Sequence, residues 1–132
     1  MEIAVCVHDD NEWGSLTEKI HSYQSFVKKD VIIKKYSSKE AYAKNYAMQK
    51  LDIMICCFGG NEGLETIALA KRHNFDIRLI WIGDNKTFSP SGYRIRGVEY
   101  IEKPHVEEQL KAALFGKQKV VQYPVVKKAK NS

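Results

Sequence analysis

Strand-type runs and helix-periodic stretches alternate five times along this chain. That alternation predicts a parallel sheet with crossover helices on both faces. Glu2 to Val7 is the first β run. Asp9 follows as an N-cap with Glu12 three residues on, a capping-box arrangement. Trp13, Leu16, Ile20, Tyr23 and Phe26 recur at helical spacing, so helix one runs to about Lys28. Val31 to Tyr36 is the second strand, and Ser37 with Glu40 caps a second helix whose Tyr42, Ala43, Tyr46 and Ala47 share a face. Leu51 to Phe58 is almost unbroken in its apolar character and reads as a central strand covered on both sides. Gly59 to Gly63 is a loop, and Leu64, Ile67, Ala68 and Ala70 stripe a third helix.

Ile77 to Ile82 is the fourth strand. The Gly83 to Gly97 stretch contains Ser89-Pro90-Ser91-Gly92, which shortens any fourth helix. Val98 to Glu102 is the fifth strand, Lys103-Pro104 a turn, and Val106 to Phe115 a last helix with Val106, Leu110, Ala113 and Leu114 inward. The fold class is therefore α/β, a doubly wound five-stranded parallel sheet of order 2-1-3-4-5.

The 132 residues suit one core, assigned to residues 1–116, with 117–132 as a basic linker or tail. No apolar run approaches the ~20 residues of a membrane span, and Met1 to Val7 is too short for a secretory signal. With Cys6, Cys56 and Cys57 in apolar segments and no obvious disulfide pairing, a reducing, cytoplasmic setting follows. The net charge of +5 is carried by the tail, where lysines 117, 119, 127, 128 and 130 meet no acid. A near-neutral body argues against nucleic-acid binding by the domain itself. DNA contact would come only through a further domain beyond the tail; the plainer reading is a solvated terminus.

Five βα units closing on Lys-Pro after the last strand resemble the receiver domains of two-component response regulators, a CheY-like, flavodoxin-like fold. Met-Glu-Ile-Ala-Val-Cys at the start and Gly-Val-Glu-Tyr-Ile-Glu-Lys-Pro near the end are particularly similar to receivers of LytTR-type transcription regulators. A working receiver holds Mg²⁺ on an acidic pair, takes phosphate on an aspartate, and neutralises it with a hydroxyl residue and a lysine. On the resemblance, Val7 and His8 occupy the acidic pair, with Asp9 and Asp10 one or two positions late. Cys57 replaces the acceptor aspartate and Gly83 the hydroxyl residue. Lys103 remains, and Tyr100 stands at the switch aromatic. The resemblance also implies a cis bond between Lys103 and Pro104.

It thus implies a pseudo-receiver: no enzyme, no cofactor, no metal, and signalling by protein contacts or self-association through the face of strands four and five and the last helix. No membrane partner is expected. Capping accounts for Asp9 and Asp10 without a metal. His8 reads as a loop-edge histidine and Cys57 as a small residue filling the old site, with redox or small-molecule sensing around Cys57, His8 and Lys103 as the alternative. Turn geometry explains the glycine loop better than anion binding.

Overall fold

The computed structural model describes residues 1–27, 30–45, 50–74, 76–83 and 97–116. Its strands are β1 (Glu2–Cys6), β2 (Ile32–Tyr36), β3 (Ile53–Cys56), β4 (Arg78–Gly83) and β5 (Val98–Glu102). The helices are α1 (Asp10–Val27), α2 (Lys39–Asn45), α3 (Gly60–His73) and α4 (Val106–Phe115), with a 3₁₀ turn at Lys103–His105 before α4. All pairings are parallel, in the order β2-β1-β3-β4-β5. The expected shortened fourth helix, the inward Tyr46 and Ala47, and the tail lie outside the described residues. No described helix is long and apolar enough to cross a membrane.

The sheet's two faces sort by the period-2 alternation of strand side chains. Ile3, Val5, Ile53, Ile55, Ile80, Ile82 and Ile101 face α1 and α4, where Leu16, Ile20, Leu110 and Leu114 meet them in an aliphatic core. Ala4, Cys6, Met54, Cys56, Leu79 and Trp81 face α2 and α3, packing with Tyr42, Phe58 and Ile67. β3 is buried throughout, which explains its unbroken apolar run. β1 and β3 end one or two residues earlier than their apolar runs suggest. The ladder nevertheless continues, with Val7 N–H donating to Tyr36 O and Cys57 N–H to Cys6 O.

Three local expectations are corrected. Ser38, not Ser37, caps α2: its hydroxyl accepts the Ala41 N–H at 3.0 Å, while the Ser37 carbonyl is engaged by His8. The supposed glycine loop is largely helix, because α3 begins at Gly60, which takes φ 57° on entry. Gly63 lies inside that helix, since a Cβ there would run into the Phe58 carbonyl and come within 2.9 Å of the Trp81 ring. Finally, every described peptide bond is trans, Lys103–Pro104 included. Pro104 sits in the first turn of the 3₁₀ segment, where its fixed φ suits the turn and no N–H is missed.

Candidate functional site

The carboxyl ends of the strands carry nearly all the residues singled out from the sequence. Parallel sheets of this kind present their loops there, at the point where strand order reverses on either side of β1. Val7 is fully buried in the aliphatic core and supplies no polar group. Asp9 caps α1: its Oδ1 accepts the Asn11 N–H at 2.8 Å and its carbonyl accepts the Trp13 N–H at 2.9 Å. Asp10 pairs with Lys35 of β2 at 2.7 Å, which holds its carboxyl below the usual range. Both acids are thus used by the helix start and the adjacent strand.

Capping fixes where Asp9 sits, and helical phase then aims Glu12 across the sheet. Its carboxylate lies 3.9 Å from Lys103 Nζ, and its negative charge acts on the Cys57 thiol. Cys57, half-buried just after β3, packs its body against the aliphatic core. Burial foremost, then the charge of Glu12, push its thiol well above the ordinary value, and Lys103 opposes them more weakly. Both effects disfavour the thiolate, the nucleophilic form of the group. Glu12 was read only as half of a capping box. The signal that could have placed it is its position directly before Trp13, at the edge of the helix face that packs on the sheet.

Beside this cluster a cleft of about 350 Å³ opens between α1 and the start of α4. Leu16, Ile82 and Pro104 give it an apolar lining, with Glu12, Lys19, Lys103 and Glu107 charged around it. Lys19 and Glu107 pair at 3.2 Å, linking the two helices. Among the described residues no group of three His, Cys, Asp or Glu side chains is arranged to hold a metal.

His8 belongs to a different set of contacts from Cys57. Its ring stacks on Phe58, with centroids 4.4 Å apart, and bonds Ser37 O and Glu62 Oε1, both at 2.7 Å. A single cleft formed by Cys57, His8 and Lys103 is therefore replaced by two clusters, one built on Glu12 and one on Glu62. Neither glutamate had been assigned to the site.

Gly83 ends β4, and Tyr100 of β5 occupies the space a side chain there would need: a Cβ on Gly83 would lie 2.5 Å from the tyrosine hydroxyl. The Tyr100 ring also meets Trp81 edge-on, with centroids 6.1 Å apart. Tyr100 is consequently only half-exposed, turned over the end of β4.

No family model matches the sequence, and no curated protein sequence does. Solved structures do match. The isolated receiver domain of RcsB from Salmonella enterica serovar Typhimurium superimposes with a TM-score of 0.62 at 16% identity, over 86% of this chain and 84% of that one. A response regulator receiver protein from Sinorhizobium medicae gives 0.60 at 13% identity, over 86% and 90%. RcsB bound to promoter rprA in the presence of the phosphomimetic BeF3⁻ gives 0.61 at 15% identity, over 92% and 70%. At such low identity the likeness establishes the fold: this chain has the CheY-like α/β fold of response regulator receiver domains.

Proposed function

We propose that the chain is a receiver-like signalling domain, of the kind found in two-component systems and LytTR-type transcription regulators, that acts through protein contacts without being phosphorylated. The observation that carries this reading is the Cys57–Glu12–Lys103 cluster. A phosphoacceptor must present a nucleophilic oxygen to a cation-lined cleft. Here the corresponding side chain is a thiol whose ionisation burial and the charge of Glu12 disfavour, and the lysine that would meet a phosphoryl group lies beside that same carboxylate. An incoming phosphodonor would face Glu12's negative charge. Gly83 supplies no hydroxyl, and the Tyr100 ring occupies the adjoining space.

Without phosphate as an input, the partner surface is the face of β4, β5 and α4 around Tyr100, used by a protein partner or a second copy of the chain. DNA enters only if a separate domain follows residue 132, and the setting is the cytoplasm. The reading includes no enzymatic activity. Incubation with acetyl phosphate and Mg²⁺, followed by intact-mass measurement, is expected to leave the chain at its unmodified mass. Stoichiometric addition of one phosphoryl group would overturn the reading.

The second reading, a small-molecule sensor, is favoured by the cleft between α1 and α4. Its redox form is not favoured, because burial and the charge of Glu12 disfavour the Cys57 thiolate. Alkylation of the folded protein by iodoacetamide at neutral pH should be slower at Cys57 than at a free cysteine. Fast, selective modification there would restore the redox form.

A further inference from the structure

Two loops and the first turn of α3 converge, at the carboxyl end of the sheet, on one histidine whose two ring nitrogens both face acceptors. His8 Nδ1 lies 2.7 Å from the Ser37 carbonyl oxygen, and Nε2 lies 2.7 Å from Glu62 Oε1. A neutral imidazole has a single N–H and can serve only one of two such oxygens. The arrangement therefore requires one proton more than a neutral histidine and a carboxylate hold between them. The imidazole, the more basic partner, carries it. Stacking on Phe58 fixes the ring plane. The other Glu62 oxygen accepts the Lys39 N–H at 3.3 Å, so the same carboxylate also reaches the first turn of α2.

We infer that His8 is a proton-binding site that clasps the loops following β1 and β2 to the first turn of α3: closed when the ring is an imidazolium, released when it is neutral. Loss of the proton removes the ring's N–H from either the Ser37 carbonyl or the Glu62 carboxylate, so that one of the two links gives way to water. Because the loops concerned lie at the end of the sheet where this fold presents its working surface, the clasp gives the domain a proton-dependent input.

The charges around the ring are otherwise committed. From the start of α1, Asp9 is used in capping and Asp10 pairs with Lys35 of β2. From α2, the Lys39 ammonium pairs with Glu65 of α3 at 2.8 Å. Phe58, at the end of β3, is uncharged, and the Cys6 and Cys56 thiols are kept protonated by burial. Glu62 is left as the carboxylate that bonds the ring. Its hydrogen bond, the largest influence, raises the His8 pKa above 6.5 against a smaller desolvation effect. The resulting stabilisation is fully present below the unfolded value of 6.5 and is lost as pH rises through the higher folded midpoint.

The inference stands apart from the phosphorylation reading, since it concerns a proton at His8 and not chemistry at Cys57. The test is a titration of the whole chain from about pH 5 to about pH 9 by long-range ¹H–¹⁵N spectra of the imidazoles and by backbone amide shifts. The expected result is a His8 midpoint above 6.5, with the amides of Ser38, Lys39 and Glu62 moving at that same midpoint. Glu62→Gln should lower the midpoint, and His8→Phe, which keeps a ring on Phe58, should abolish the loop transition while circular dichroism stays unchanged. A His8 midpoint at or below 6.5, or loop amides that titrate alike in wild type and His8→Phe, would overturn the proposal. The wild-type titration decides the matter even if a variant fails to fold.

Discussion

A glycine can mark where something else needs the space, and two of them do so here. Gly63 lets α3 settle onto the Phe58 carbonyl and the face of Trp81, whose indole N–H donates to that same carbonyl at 2.8 Å. Backbone cannot step aside, so Gly63→Ala should cost about 2–3 kcal/mol in urea unfolding. At Gly83 the obstacle is the Tyr100 side chain, which can rotate away. Gly83→Ala should therefore cost about 1 kcal/mol, and much of that should vanish when Tyr100 is already Ala. A double-mutant cycle showing no coupling would mean that Tyr100 does not fill this space in solution. Neither close approach was legible in the sequence. Gly63 looked like one more loop glycine and Gly83 like a lost hydroxyl, because each is defined by a residue distant in the chain. Glu12 was missed for a related reason: the local capping pattern explained it fully, and nothing nearby in sequence pointed to Lys103 or Cys57.

Elements were easier to read than sites, since hydrophobic period is a local signal that many residues repeat. The five strands, their order and the inward faces of α1 and α4 follow from it, whereas on α3 Ile67 and Ala70 turn inward and Ala68, expected beside them, is exposed, its place in the core face taken by Gly63 and Thr66. Boundaries were set instead by single contacts, such as the bond from His8 that takes the Ser37 carbonyl and the positive φ at Gly60. One such contact holds the end of α4. The Arg78 guanidinium at the start of β4 donates to both the Ala113 and Leu114 carbonyls in the last turn of the helix, where carbonyls need donors from outside it. It also places positive charge at the negative end of the helix dipole. Arg78→Ala should destabilise the fold by about 1.5–3 kcal/mol. Arg78→Lys should recover only part of this, because a point charge cannot reproduce the fork. Amide exchange at the last turn of α4 should rise in both variants ahead of the rest of the helix.

Across the whole molecule, the sheet separates an aliphatic core under α1 and α4 from one richer in aromatic side chains under α2 and α3. Ile20→Val on one side and Ile67→Val on the other should each cost about 0.5–1.5 kcal/mol and combine additively within about 0.5 kcal/mol. Strong coupling between them in urea unfolding would show that the sheet transmits packing changes between its faces. The same layout bears on the order of assembly. Ile3 of β1 pairs with Ile33 on one side and Ile53 on the other, so a growing chain completes β1 and β2 well before β3 exists to cover β1's second edge. Until β3 joins, that edge is a bare template of N–H and C=O groups on an apolar strand. Any state in which β1 has paired with β2 before β3 joins therefore exposes, on one edge, an apolar strand that the finished protein covers on both sides, and that state is the one most open to wrong pairing.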